Sequence, residues 1–219
     1  ESEYREVHQK AAVLYRKQPR FQLITTGKIS QKKLLFEKQH LERLQKASRY
    51  FAFPFDQEVL IQKLEKECQA CDLHQDYRLR ISLSKSGEIE IERQVLTPLS
   101  SSFCQAQLCL QEADLEQAFT YFKTTHRPHL TVGEQEIIYH TTDGKLLETS
   151  IGNLVLKMDG KLYTPPSQLG LLPGIYRQHL LENGQVEEKV LTLSDLKEAE
   201  VIYGCNAVRG LYELSVREN

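Results

Sequence analysis

Lys123 sits in Phe122-Lys123-Thr124-Thr125-His126-Arg127, with Phe119 and Tyr121 just before it. A lysine against an apolar wall has a lowered pKa, as an amine nucleophile requires. In a solvated setting the same residue is an ordinary surface lysine. Glu148 lies in the mostly apolar run Leu146-Leu147-Glu148-Thr149-Ser150-Ile151. Once buried, its carboxylate needs a partner, either a protonated ring nitrogen or a local Arg or Lys. Arg43 offers a bidentate grip on phosphate, or a solvated helix-face charge. Gly170-Leu171-Leu172-Pro173-Gly174-Ile175-Tyr176-Arg177 is a glycine-punctuated loop opening a helix. Such a loop can bring backbone N–H groups to an anion, or serve as a plain turn. Cys68-Gln69-Ala70-Cys71 has redox or zinc spacing, but only His74 is near as a third ligand. A structural zinc site wants four ligands, so the pair reads as small helix residues and no metal is expected.

The order of these segments carries more than any one of them. His40-Leu41-Glu42-Arg43-Leu44, the lysine segment at 122–125, Glu148-Thr149-Ser150-Ile151-Gly152-Asn153, Gly170 to Ile175, and Asn206-Ala207-Val208-Arg209-Gly210 stand in that order. Together they resemble the cofactor-binding blocks of the fold-type IV pyridoxal-phosphate enzymes, over residues 20–212. The resemblance implies a two-domain α/β (α+β) fold and pyridoxal 5'-phosphate as cofactor. Within that class the chain most resembles the aminodeoxychorismate lyases, especially those fused behind para-aminobenzoate synthase. Thr25-Thr26 ahead of Arg43, Lys123 to Arg127, and the opening Glu3-Tyr4-Arg5-Glu6 with Lys10-Ala11 carry this finer likeness. Branched-chain and D-amino-acid aminotransferases share the cofactor blocks and are the alternative. A domain kept for docking to a fused synthase is the non-enzymatic one.

The resemblance assigns roles. Lys123 would carry the cofactor and move protons. Glu148 would face the pyridine nitrogen. Arg43, the N–H groups of Ile175 and Tyr176, and Asn206 would hold the phosphate, and Leu172 would pack behind the ring. Thr26 would be a proton relay or a substrate contact. Arg78, Arg80, Arg127 and Arg209 stand equal as partners for substrate carboxylates. Only 25 positions separate Lys123 from Glu148, so a compact loop is expected over 128–133. Family enzymes are usually homodimers, and a fused or associated synthase is the further expected partner.

These residues need a scaffold. Periodicity predicts a helix over 3–17, a strand over 21–29 that breaks at Gly27, and a short strand at Leu34–Phe36. It predicts a helix from His40 to about Pro54, and one after an Asp56 cap carrying Val59, Leu60, Leu64 and Cys68. Strands follow at 77–84 and 89–92 around Ser86-Gly87. Residues 97–102, rich in Pro and Ser, read as a linker. The second half predicts strands at 136–141, 146–151, 154–158, 186–193, 201–203 and 211–216. It also predicts a helix from 175 to about Gly184 and a short one opened by Ser194. The domains expected are a connector at 1–19, a small α/β domain at 20–97, a linker at 98–103, and a larger domain at 104–219.

Composition narrows the class. The chain has 219 residues, 40% hydrophobic and 26% charged, which is ordinary for a globular protein. Its formal net charge of -2 lacks the basic excess of non-specific nucleic-acid binders. No apolar run reaches the roughly 20 residues of a membrane span. The charged opening lacks the apolar core of a signal peptide, and five scattered cysteines do not make a disulfide framework. A cytoplasmic setting is the expectation, and a chain opening on Glu1 reads as trimmed or as one piece of a longer protein.

Overall fold

The computed structural model describes residues 19–100, 104–111 and 117–216. The helix expected over 3–17 lies outside them.

Alternating buried and half-buried residues make β1 (Leu23–Ser30) a strand with one face on a core. It pairs antiparallel with β2 (Lys33–Leu34) and β3 (Tyr77–Leu83), and β3 with β4 (Ile89–Val95). The sheet order is β2-β1-β3-β4. Contrary to the sequence reading, β1 runs unbroken through Gly27. That glycine answers to packing: a Cβ there would lie 2.5 Å from His40 Nε2 and 2.9 Å from Leu34 Cδ1. The second strand stops at Leu34, because Phe36 takes a left-handed conformation to start α1 (Glu37–Phe51). That helix begins a turn earlier than the periodicity indicates. Asp56 caps α2 (Gln57–Gln69), accepting from the N–H groups of Glu58 and Val59. Both helices cover one face of the sheet, and Leu44, Ala47, Leu60, Leu64, Cys68 and Cys71 join its core. Cys68 and Cys71 are therefore buried apolar packing, with Cys71 Sγ donating to Glu67 O at 3.3 Å.

The second sheet contains β5 (Gln105–Leu110), β6 (Glu136–His140), β7 (Leu146–Thr149), β8 (Asn153–Met158), β9 (Lys161–Thr164), β10 (Glu187–Glu188), β11 (Val201–Asn206) and β12 (Gly210–Val216). Its order is β10-β9-β8-β11-β12-β5-β6-β7, and β7 also pairs with β8. That extra pairing closes six of the strands on themselves. Three short helices accompany it: α3 (Gln117–Tyr121), α4 (Ile175–Glu182) and α5 (Leu193–Glu198). Only Glu187–Glu188 of the strand expected over 186–193 forms, and α5 is capped by Thr192 rather than Ser194. Thr192 Oγ1 accepts from Asp195 N–H, and the Asp195 carboxylate accepts from Thr192 N–H.

Candidate active site

The two sheets face each other across a cavity of about 800 Å³. Its wall brings together Thr26, Arg43, Lys123, Glu148, Leu172, Ile175 and Asn206, drawn from six separated stretches of chain. Tyr176 does not line it. Its ring packs beside Phe36 and His179, away from the cavity.

Lys123 is fixed by its backbone. Its carbonyl accepts from Ile24 N–H at 2.9 Å, and Thr125 N–H donates to Gln22 O at 2.9 Å, which seats the segment on the start of β1. The amine makes no hydrogen bond to a described residue. Burial, then Arg127, Arg43 and Arg78, pull its pKa down to about 7 against the opposing effect of Glu148. The aromatic residues before Lys123, Phe119 and Phe122, pack against Phe51 of α1 and do not line the cavity, so the amine is buried among arginines and Glu148 rather than against an apolar wall.

Glu148 sits in β7, whose four residues are all buried. Its Oε1 accepts from Leu172 N–H at 3.4 Å, and Arg127 Nη2 lies 3.6 Å from Oε2. Burial pushes the carboxyl up to about 7, outweighing Arg127, the Leu172 N–H, Lys123 and Arg43. Arg43, one turn beyond His40 on α1, donates to Pro173 O at 2.6 Å. Burial and Arg127 lower it to about 10, opposed by Glu148.

The loop before α4 is built for close approach. A Cβ on Gly174 would lie 1.9 Å from Asn153 Oδ1. Asn153 meanwhile donates from Nδ2 to Leu172 O at 2.8 Å. The N–H groups of Ile175 and Tyr176, at the start of a helix, have no intrahelical acceptor and carry its positive dipole end. Asn206 Oδ1 accepts from Val208 and Arg209 N–H groups at 2.9 Å, which shapes the turn between β11 and β12, beside α4.

The sequence assigned no role to His40 or Thr25. Thr25 Oγ1 and His40 Nδ1 are 2.6 Å apart in the core, tying α1 to β1. Burial, Arg43 and Lys123 hold the imidazole near 3, so it is neutral. The two-residue period of a strand was the available signal: with Leu23 inward, Thr25 also turns inward and Thr26 toward the cavity.

An amine poised near neutrality, a buried carboxylate, an arginine and a glycine-cradled helix N-terminus around one cavity fit pyridoxal phosphate. They supply a partner for its aldehyde, its ring nitrogen and its phosphate. Comparison with known proteins agrees. The amino-transferase class IV family profile matches residues 22–215. The chain belongs to this family, whose members are pyridoxal-phosphate enzymes. A Schizosaccharomyces pombe protein named "Putative aminodeoxychorismate lyase" is 24% identical over 185 residues, 78% of this chain and 79% of the relative. A Mesorhizobium loti structure described as a "Putative amino-acid aminotransferase" is 26% identical, with TM-score 0.76 over 90% of this chain and 100% of that one. A Mycobacterium tuberculosis structure described as "A hypothetical aminotransferase", in its PLP-bound form, shares the fold at 17% identity, with TM-score 0.73 over 89% and 81% of the two chains. Among the described residues no helix is long and apolar enough to cross a membrane.

Proposed function

We propose that this protein is a 4-amino-4-deoxychorismate lyase, forming 4-aminobenzoate and pyruvate for folate biosynthesis. The observation that carries the reading is the charge of the cavity wall. Arg43, Arg78, Arg80, Arg127, Arg209 and Lys123 line it, against Glu148 as the one acidic side chain among its described residues. With Arg43 engaged by phosphate, Lys123 by the aldehyde, Arg127 beside Glu148 and Arg209 on Thr97 O, Arg78 and Arg80 are left for the substrate carboxylates. Aminodeoxychorismate carries two carboxylates, one on the ring and one on the enolpyruvyl group. A branched-chain amino donor carries one carboxylate and asks for an apolar wall. The name of the S. pombe relative supports the same choice.

Pyridoxal phosphate supplies an electron sink conjugated to the amine-bearing ring carbon. Lys123, its amine free once the substrate amine has taken its place and its pKa near neutral, takes the proton from C4 of the substrate ring. The C3–O bond breaks, enolpyruvate leaves with the electron pair, and the ring becomes aromatic. Lys123 then returns its proton to the enolpyruvate methylene, giving pyruvate. Thr26, on the cavity wall, contacts substrate or relays a proton there. The family's usual homodimer is part of the proposal. Leu108 and Leu110 of β5 and Val132 beside the cavity are exposed apolar side chains that a second copy would cover.

The test is pyruvate release from aminodeoxychorismate by the cofactor-loaded protein, coupled to lactate dehydrogenase, with no keto acid added. Stoichiometric pyruvate and 4-aminobenzoate are expected. A protein that releases none, yet transaminates branched-chain or D-amino acids once a keto-acid acceptor is present, would be an aminotransferase instead.

A further inference from the structure

We propose that Arg127 is a positioning residue: its guanidinium holds the Glu148 carboxylate ionised and ready to accept the N–H of a protonated pyridine ring. The inference rests on the family's cofactor and not on which reaction the site performs.

The geometry singles out this arginine. Its side chain is 15% exposed, that of Glu148 4%, and they approach to 3.6 Å. The contact is an ion pair rather than a saturating hydrogen bond. Among the described residues Oε1 receives the Leu172 N–H alone, at 3.4 Å. The carboxylate therefore keeps acceptor capacity for another donor. Arg127 Nε and Nη2 have no hydrogen-bond partner among the described residues. Of the other arginines lining the cavity, Arg43 donates to Pro173 O and Arg209 to Thr97 O, while Arg78 and Arg80 stand on β3 and form no ion pair with Glu148 among the described residues. Arg127 is the arginine that reaches ion-pair distance of Glu148, and its charge acts on that carboxyl more strongly than those of Lys123 and Arg43.

A buried carboxyl without a counter-charge takes up a proton. Glu148 already sits near 7 with Arg127 beside it, and Arg127 is the largest of the influences holding it down. Remove that charge and the carboxyl becomes neutral over a wider pH range. A neutral carboxyl no longer stabilises a pyridinium, and the electron sink weakens. The same guanidinium is the strongest neighbouring charge lowering Lys123. One residue thus acts on both ends of the site, from four positions after the lysine. The other ionisable groups around it are Arg43, His129 and Tyr139.

The test uses the holoenzyme reconstituted with pyridoxal phosphate labelled with ¹⁵N in the ring. The ¹⁵N NMR position separates a protonated from a neutral pyridine nitrogen. Wild type is expected to give the pyridinium signal at neutral pH. In Arg127→Gln the signal should move to the neutral-pyridine position, and Arg127→Lys should restore it. Should the Gln variant not fold, Arg127→Met, which keeps the apolar stem, takes its place. A pyridinium signal persisting in either folded uncharged variant overturns the proposal. So does loss of that signal in the Lys variant, which would mark Arg127 as a packing residue. None of these readouts requires aminodeoxychorismate, so failure here is distinct from failure of the lyase reading.

Discussion

Two buried ionisable groups approach neutrality from opposite sides, and this follows from burial rather than from their pairing. Lys123 falls to about 7 and Glu148 rises to about 7 because both lose water. The charged form of the lysine carries a cost that the fold must bear. Its folded value lies below its ordinary value of 10.5, so the penalty is full below about pH 7 and fades as pH rises toward 10.5. Lys123→Met should therefore stabilise the cofactor-free protein at neutral and lower pH. The gain should be on the order of 1–3 kcal/mol, or roughly 5 °C in Tm. Thermal melts across that range should show the gap to wild type closing as pH rises, whereas a constant gap would attribute the gain to packing. At this scale the sequence was informative about identity and silent about environment. Aromatic neighbours of Lys123 and apolar neighbours of Glu148 announced desolvation. That Arg127 would be the residue lying against Glu148 depends on the fold bringing 127 beside 148, which no local spacing encodes.

Elements matter here for how closely they bring backbone to ligand. Gly174 has φ -66, which any residue adopts, so its glycine identity answers to space and not to conformation. A methyl there would collide with Asn153 Oδ1 and displace the side chain that holds Leu172 O. Gly174→Ala should leave the far-ultraviolet spectrum unchanged and weaken pyridoxal phosphate binding by about tenfold or more, since 1.4 kcal/mol of lost contact is tenfold in affinity. Equilibrium titration of the cofactor-free variant measures this, and unaltered affinity would remove the α4 N-terminus from the phosphate site. Most helices and strands were legible because one face of each is apolar at the proper period. The misses have physical causes. Gly27 looked like a breaker because its reason, the His40 ring, lies on another element. Thr192 outcompeted Ser194 as a cap because Asp195 completes a reciprocal pair with it. Strand β5 was not read because Gln105-Ala106-Gln107-Leu108-Cys109-Leu110 exposes most of its residues, while its order comes from parallel partners β12 and β6.

At the scale of the whole molecule, net charge and site charge point in opposite directions. The chain is slightly acidic, at -2, yet its cavity gathers five arginines and Lys123 around Glu148. Concentrating one sign of charge in a concave, low-dielectric wall focuses the field there and raises the local concentration of anions. Two arginines come from β3 of the first sheet, Arg78 and Arg80, and Arg127 and Arg209 from loops of the second half. The field therefore exists only when both halves are assembled, which composition and local pattern could not reveal. Salt should weaken this capture, because the screening length falls from about 10 Å at 0.1 M to about 3 Å at 1 M. Across that range the KM for a dicarboxylate substrate should rise several-fold, while kcat, set by groups already in contact, changes little. A monocarboxylate amino acid offered to the same site should show a smaller rise, having one charge fewer for the field to act on. Steady-state kinetics with both compounds at matched pH separates the cases. A KM independent of salt for the dicarboxylate would mean that the arginines neutralise one another through the wall and contribute contacts without steering.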